Sequence, residues 1–416
     1  MTPRPRIAVP LFPGSNGEID NLQVLRRCGF DAFLFRWNDS HEKLEHCDGY
    51  FFGAGFSYED RGRSGMVAAR DPLFQFLHTE AEQGKVIIGN CNGAQVLIES
   101  GLVPLGDRLR MSLAHNAIRQ ADEWVSPGFL SEWIWITPSC AKDRCATSNW
   151  TGAMHIPIAH GEGRFVTKDP DLIAALEEND QVAFRYCDAN ANVSAETPVT
   201  PNGSTGGIAG ICNPQGNVVA IMPHPERTTL GDAYFLSAKK WIEQKKTAKA
   251  AARALVSTYQ SPQPANRAPR PLEIFIDTII TNNEERTVEA ATHRINPQLK
   301  LKQYRYIAPS AVKMEKILDT LSVFNPNKEI AYVRKDGQFY RWNSSKKELQ
   351  PTDKKPLSGI SLLRRNEPDT GAAAFGKGSE TGVCYDCRSV DAASVMNPGL
   401  LEVFGNPHAS TIAIMQ

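Results

Sequence analysis

Between residue 6 and about residue 245, short apolar segments alternate with amphipathic ones, and this alternation limits the fold more than any other feature. The segments "RIAVPLF", "DAFLFRW", "GYFFGAG" and "KVIIGN" have the length and apolar content of buried strands. The segments "NLQVLRRCGF", "PLFQFLHTEAEQGK" and "AQVLIESGL" repeat apolar residues at helical spacing. Alternating strands and helices form a mostly parallel sheet with helices on both faces. We therefore predict an α/β fold with a mostly parallel sheet flanked by helices.

Later segments extend this pattern and suggest where the first domain ends. Strands are predicted at "WIWITPS", "MHIPIAH" and "QVAFRYCD", a hairpin at "IAGICNPQGNVVAIM", and a closing helix over 231–255. We therefore assign residues 1–255 to one domain. The Pro-rich and Ser-rich segment 256–271 has the composition of a linker.

Strands and helices of another kind follow the linker. Residues 272–350 read as a small α+β domain, with the "DG" of "IAYVRKDGQFYRW" marking a tight hairpin turn. Lys and Arg outnumber Asp and Glu between residues 246 and 355. This excess is read either as a solvated surface or as a binding or scaffolding face. Residues 351–416 are rich in Gly, Ser and Asn, and their weak periodicity predicts a poorly ordered C-terminal extension.

Global composition excludes several classes of protein. The 46 Lys and Arg residues balance the 46 Asp and Glu residues, so neither nucleic acid nor a membrane is an expected partner. No apolar segment near the N-terminus resembles a signal peptide, and no apolar run has the length of a membrane span. The 9 scattered cysteines lack the density of a secreted disulfide scaffold. These features predict a cytoplasmic protein with reduced thiols.

Cys91 lies between a predicted buried strand and a predicted helix in "GNCNGAQVL". This is the place where a nucleophile elbow presents its reactive side chain, because backbone N–H groups and the helix dipole there favour a negative charge. A lone cysteine is more often a small buried hydrophobe. Cys91 is therefore a candidate nucleophile only if the chain also supplies a base.

A candidate base appears in "AIMPHPERTT", where His224 follows an apolar strand and Glu226 comes two residues later. On an extended segment, side chains two residues apart point the same way, so the carboxylate can orient the imidazole. By itself this motif could be a proline-stiffened loop with an ion pair. Together with Cys91 it forms a Cys-His-Glu set that suits attack on an amide through a thioester.

An oxyanion hole is also predicted near the third strand. Ala54 and Gly55 in "FFGAGFSYED" allow backbone N–H groups to approach a substrate closely, and the N–H of Asn92 follows the nucleophile. The alternative is that these small residues only form a tight turn.

Six motifs in order give the chain a family resemblance over residues 5–245. The motifs are "FPGSN", "GAGFSYEDRGRSGMVAARDP", "GNCNGAQVL", "PIAHGEGRF", "QVAFRYCD" and "NGSTGGIAGICNPQGNVVAIMPHPER". This part resembles the PurQ family of class I glutamine amidotransferases, the glutaminase subunits of phosphoribosylformylglycinamidine synthase. The resemblance implies a class I glutamine amidotransferase-like, flavodoxin-like fold.

The resemblance also implies an activity and its partners. The chain would hydrolyse L-glutamine with Cys91, His224 and Glu226 as its triad. The ammonia would pass to a synthetase subunit that binds ATP and Mg and acts in de novo purine biosynthesis. In many members of the family a small third subunit joins the complex. No cofactor and no metal site are expected in this chain itself.

The sequence leaves the role of three features undecided. His160, Glu162 and Arg164 of "HGEGR" form either an internal loop network or a surface for docking and ammonia exit. Ala54 replaces one glycine of the family's usual pair, which leaves open which amide completes the oxyanion hole. Cys384 and Cys387 in "CYDC" have metal-site or redox spacing, but no second ligand pair accompanies them.

Overall fold

The computed structural model describes residues 3–245 and 259–416. The chain divides into two compact units, Met1–Tyr259 and Gln260–Gln416. The predicted boundary at 255, the start of the predicted linker and the end of the predicted closing helix lie outside the described residues.

Within its described residues, unit one contains one large mixed sheet, two smaller strand pairs and the helices that cover the large sheet. Its strands are β1 (Arg6–Leu11), β2 (Asp31–Arg36), β3 (Gly49–Phe52), β4 (Val86–Asn90), β5 (Ser112–His115), β6 (Ile118–Gln120), β7 (Glu123–Val125), β8 (Leu130–Pro138), β9 (Met154–His160), β10 (Glu162–Val166), β11 (Phe184–Cys187), β12 (Ile208–Cys212) and β13 (Val218–Ile221). Its helices are α1 (Glu18–Arg27), α2 (Leu73–Glu82), α3 (Asn92–Glu99), α4 (Leu172–Glu178) and α5 (Asp232–Glu243).

The large sheet has the strand order β2-β1-β3-β4-β13-β12-β11-β8-β9. Pairings from β2 to β13 are parallel, in the order 2-1-3-4 typical of flavodoxin-like sheets. Pairings from β13 to β9 are antiparallel. The predicted α/β fold is confirmed, with the parallel arrangement confined to the first half of the sheet.

Side-chain alternation along the parallel strands produces a core on each face. On β4, Ile87 packs into a cluster with α2, α3 and α4, whereas Val86 and Ile88 pack into a cluster with α1 and α5. Because successive strand residues point to opposite faces, a continuous apolar strand needs helices on both sides. The two-sided covering predicted from the sequence is therefore present.

Unit two contains a nine-stranded sheet within the described residues. Its strands are β14 (Ala265–Arg267), β15 (Leu272–Thr278), β16 (Lys300–Ala308), β17 (Glu329–Lys335), β18 (Gln338–Asn343), β19 (Glu348–Pro351), β20 (Ile360–Asn366), β21 (Glu380–Arg388) and β22 (Ser410–Met415). Its helices are α6 (Asn283–Thr292), α7 (Met314–Leu318), α8 (Ala392–Val395) and α9 (Pro398–Phe404).

The sheet order of unit two, β14-β22-β20-β21-β16-β15-β17-β18-β19, corrects two predicted boundaries. The supposed linker 256–271 contributes β14, which pairs with β22. The supposed poorly ordered extension 351–416 contributes β20, β21 and β22, and β21 pairs along the whole of β16. Residues 272–350 and 351–416 therefore share one sheet. The "DG" turn is found as predicted, with Asp336 and Gly337 at positive φ between β17 and β18.

Candidate active site

Cys91 sits on a strained turn between β4 and α3. Its backbone has φ 51° and ψ −109°, a region that non-glycine residues rarely occupy. Its N–H donates to the carbonyl of Ile221 on the neighbouring β13 at 2.8 Å. Its side chain is buried, and Sγ donates to the carbonyl of Ala159 at 3.6 Å. This is the local geometry of a nucleophile elbow.

Gly93 lets the first turn of α3 lie directly against β3. A Cβ atom on Gly93 would lie 2.0 Å from the carbonyl oxygen of Phe52, so no other residue fits without displacement of backbone. The Gly93 N–H also donates to the carbonyl of Gly53 at 3.1 Å. The turn that carries Cys91 is thereby fixed to the loop after β3.

His224 reaches Cys91 because their strands are parallel neighbours. β4 and β13 pair in register up to Asn90 and Ile221, and each candidate residue follows the carboxyl end of its strand. The Nδ1 atom of His224 lies 2.6 Å from Oε1 of Glu226, and both side chains are fully buried. Glu226 belongs to a short 3-10 turn, Pro225–Arg227, rather than to the extended segment assumed from the sequence.

The protonation of His224 and Glu226 follows from their burial, from their mutual interaction and from the charge of Cys91. Burial lowers the pKa of His224, but the charges of Cys91 and Glu226 outweigh it and raise that pKa to about 10. Burial raises the pKa of Glu226, but His224 outweighs it and holds the pKa below its usual range. Both shifts favour a protonated ring beside an ionised carboxylate. Its Nε2 makes no hydrogen bond of normal geometry with a described residue, so it stays available towards the sulfur.

The predicted oxyanion-hole residues lie beside the turn that carries Cys91. In the loop after β3, the Phe56 N–H donates to the carbonyl of Gly14 at 3.0 Å, and the carbonyl of Ala54 accepts from the Gly17 N–H at 3.2 Å. Neither bond uses the N–H of Ala54 or Gly55. The Asn92 side chain accepts from the Ser57 N–H at 3.1 Å, which ties this loop to the residue after Cys91.

Three consecutive left-handed residues continue the loop. Tyr58, Glu59 and Asp60 have φ values of 52°, 57° and 54°, although none is glycine. Such residues persist only where surrounding contacts hold them, and here the Asn92 amide donates to Asp60 at 3.4 Å. The strained turn Ser57–Asp60 is therefore coupled to the residue after the candidate nucleophile.

The three residues of "HGEGR" have different surroundings. His160 is 2% exposed, and burial followed by the charge of His224 lowers its pKa to about 3. Glu162 accepts from the Ser64 N–H at 3.3 Å through its side chain and lies 3.8 Å from His115. Contacts within the chain thus engage Glu162, and its docking role stays a proposal.

Arg164 is also engaged within the chain. Its Nε donates to the carbonyl of His115 at 3.0 Å, and its guanidinium lies 5.5 Å from the centre of the Trp124 ring. Burial lowers the pKa of Arg164 to about 10. These contacts support the internal-network reading for Arg164.

Asp60, in the turn next to the site, should make the stability of the folded protein depend on pH. Burial, and then the charge of Glu162, raise the pKa of Asp60 to about 7, against about 3.9 for an unfolded aspartate. Because the folded pKa is the higher one, the stability contributed by this group falls as the pH rises from about 4 to about 7. Asp60→Asn removes this dependence, so the stability of the variant relative to wild type should rise by about 1.4 kcal/mol or more between pH 5 and pH 8. Thermal unfolding of unit one at both pH values measures it.

A matched control is Asp31→Asn, which changes an exposed carboxyl group on β2. Its stability relative to wild type should be nearly the same at both pH values. If Asp60→Asn behaves in the same way as this control, folding does not raise the pKa of the Asp60 carboxyl group.

Sequence reasoning missed two buried side chains behind the triad. Asn90 donates to Oε2 of Glu226 at 3.0 Å, and the Tyr234 hydroxyl donates to Asn90 at 3.3 Å. Asn90 ends an apolar strand and precedes the nucleophile, where a polar residue breaks the pattern. That break in the apolar pattern was the sequence signal for a role of Asn90 in the site.

The "CYDC" pair has no joint role in the structure. Residues three apart on a strand point to opposite faces, and Cys384 and Cys387 both lie on β21. Burial raises the pKa of Cys387 to about 12 and also raises that of Cys384. Across residues 3–245 and 259–416, no group of three metal-binding side chains is found. The same residues include no helix long and apolar enough to cross a membrane.

Comparison with known proteins adds the family. Residues 4–254 match the CobB/CobQ-like glutamine amidotransferase domain. A phosphoribosylformylglycinamidine synthase subunit PurQ from Methanothrix thermoacetophila is 41% identical over 261 residues, which is 58% of this chain and 100% of that protein. The PurQ subunit from Thermomicrobium roseum is 40% identical over 224 residues, covering 53% of this chain and 87% of that protein.

A solved structure, "Structure of PurLQS from Thermotoga maritima", has 30% identity and a TM-score of 0.45, and covers 57% of this chain and 99% of that one. The domain match spans more than half of the chain, and the PurQ relatives are aligned over most of their own length. The chain therefore belongs to the CobB/CobQ-like glutamine amidotransferases, with PurQ subunits among its relatives, and is an enzyme of that family.

Proposed function

We propose that this chain is the glutaminase component of phosphoribosylformylglycinamidine synthase. The observation that carries the proposal is the buried Cys91, His224 and Glu226 set at the ends of adjacent parallel strands, with 2.6 Å between His224 and Glu226. The names of the PurQ relatives supply the reaction to which the set belongs.

In the first step, Cys91 attacks the side-chain amide of L-glutamine. The sulfur forms a bond with the amide carbon, and the carbonyl oxygen becomes an oxyanion. The N–H of Asn92 and an N–H from Ala54 or Gly55 stabilise this charge in the proposed oxyanion hole. The high pKa of His224 supports its role as proton donor to the amide nitrogen. When the oxyanion collapses, the C–N bond breaks, ammonia leaves with that proton, and the thioester remains.

In the second step, water releases glutamate from the thioester. His224, now neutral, accepts a proton from the attacking water, and the C–S bond breaks to regenerate the thiolate. Glu226 accepts a hydrogen bond from Nδ1 throughout, which directs Nε2 towards the reacting atoms.

The partners belong to the same proposal. A synthetase subunit would receive the ammonia and would hold the ATP and Mg used for amidination, and a small third subunit would complete the assembly. Glutamine is the proposed substrate, no cofactor is proposed for this chain, and the cytoplasm is the proposed location.

The test compares two nitrogen donors in the reconstituted complex. The chain is mixed with the synthetase, ATP, Mg²⁺ and formylglycinamide ribonucleotide, and glutamate and the amidinated product are measured with glutamine or with ammonium chloride. Equal amounts of glutamate and product from glutamine would support the proposal. Product from ammonium chloride without any glutamate from glutamine would contradict it.

A further inference from the structure

A buried hydrogen-bonded chain extends behind Glu226, and we infer that Asn90 and Tyr234 are positioning residues that hold Glu226 against His224. The inference rests on the proposed function, because it concerns the orientation of the proposed base. It adds two residues to that site, both of which act through Glu226.

Both oxygens of Glu226 are engaged from opposite sides. Oε1 lies 2.6 Å from Nδ1 of His224, while Oε2 accepts from Nδ2 of Asn90 at 3.0 Å. The other end of the Asn90 amide accepts from the Tyr234 hydroxyl at 3.3 Å. Asn90 and Tyr234 are 0% exposed and Glu226 is 3% exposed, so the surrounding residues exclude solvent from these hydrogen bonds.

This hydrogen-bonded chain connects three elements of unit one. Asn90 is the last residue of β4 and directly precedes Cys91, Glu226 lies on the turn after β13, and Tyr234 belongs to α5. Asn90 is also in register with Ile221, whose carbonyl accepts from the Cys91 N–H. A single amide thus fixes the carboxylate relative to the strand that carries the nucleophile.

The amide also favours the ionised form of the carboxylate. Burial raises the pKa of Glu226, and the titratable group that acts on it is His224 from its own turn. The charge and hydrogen bond of His224, together with the Asn90 hydrogen bond, lower that pKa. Without Asn90, the buried Oε2 would lose its side-chain donor, and the carboxyl group could rotate away from Nδ1.

A merely structural role would affect folding but not the protonation of the site. Asn90→Leu keeps the number and branching of the side-chain heavy atoms and removes both hydrogen bonds. We expect kcat for glutamine hydrolysis in the complex to fall about tenfold with little change in KM. We also expect the acidic limb of the pH profile to move to higher pH, because Glu226 would then protonate more readily.

Two further variants keep the inference falsifiable. Tyr234→Phe leaves the bond between Asn90 and Glu226 intact, so its effect should have the same direction and a smaller size. Asn213→Leu is the matched control. It removes a buried asparagine that bonds to Asn217 in the hairpin at the other end of β13, so the pH profile should not change.

A readout that does not need activity separates this inference from the proposed function. The carboxyl ¹³C resonance of Glu226, assigned by its loss in Glu226→Gln, should titrate at higher pH in Asn90→Leu than in wild type. A wild-type chain that forms no glutamate would contradict the proposed function alone. Unchanged pH profiles and an unchanged Glu226 titration in both Asn90→Leu and Tyr234→Phe would overturn the inference about Asn90.

Discussion

Replacing Cys91 with serine should abolish product formation from glutamine while leaving product formation from ammonia intact. Serine keeps nearly the same size, but a hydroxyl is a far weaker acid than a thiol and does not supply the anion that attacks the amide. The loss should be about 10⁴-fold or more in kcat, as when the nucleophile of a hydrolytic triad is removed. In the proposed reaction the synthetase does not use Cys91, so ammonium chloride should support synthesis at the wild-type rate. The measurement is the rate of amidinated product with each nitrogen donor in the full complex.

Cys28→Ser is the matched control for this experiment. Cys28 is another buried thiol of unit one, next to α1, and burial raises its pKa to about 11. Glutamine-dependent turnover should stay within a few-fold of wild type in this variant. If Cys91→Ser retained as much activity as Cys28→Ser, Cys91 would be only a packed core thiol.

The triad candidates were predictable because each residue follows an apolar run. Cys91 and His224 come after β4 and β13, and parallel neighbours end at the same edge of a sheet. The contact between His224 and Glu226 was predicted, but the backbone geometry that produces it differs from the predicted one. The extended spacing assumed from the sequence is replaced by the 3-10 turn Pro225–Arg227, which also brings the two side chains together.

The order of the C-terminal segment could not be predicted from periodicity. Asp386 lies near the C-terminal end of β21 and is fully buried, which breaks the apolar pattern of that strand. Its carboxylate accepts from the Ser361 hydroxyl at 2.7 Å and from the Gly359 N–H at 2.8 Å, and these bonds offset its burial. Ser361 lies on the neighbouring strand β20 and Gly359 directly before it, so these partners are visible only in the folded chain.

The polar contacts behind the triad were missed for a related reason. Asn90 and Tyr234 are 144 residues apart in the chain, and nothing in the local pattern of either indicates the other. Local periodicity shows which residues end strands, whereas contacts between distant side chains depend on how the helices cover the sheet. The fold of unit one and the proximity of His224 to Glu226 were therefore within reach of the sequence, and the polar contacts behind Glu226 were not.

The strained turn Ser57–Asp60 gives a physical route for control of the reaction by the synthetase. The turn is joined to Asn92 by the Ser57 N–H and by Asp60, and Asn92 supplies a proposed oxyanion donor. Glu59 of the same turn has a 72% exposed side chain, so a docked protein can contact the turn directly. A contact that changes the turn would be transmitted to the backbone beside Cys91.

Binding of the synthetase should therefore raise the glutaminase rate of the chain by about a hundredfold or more. Ammonia is lost unless an acceptor is ready, and a single misdirected oxyanion donor lowers a rate by about 10²–10³-fold. Glu59→Arg should reduce the stimulation by the synthetase without changing the rate of the isolated chain. Glu42→Arg, at an exposed glutamate before β3 and so at the opposite edge of the sheet, should leave the stimulation unchanged. Steady-state glutamate formation with and without the synthetase and its substrates measures both, and an isolated chain that already runs at the rate of the complex would contradict control by docking.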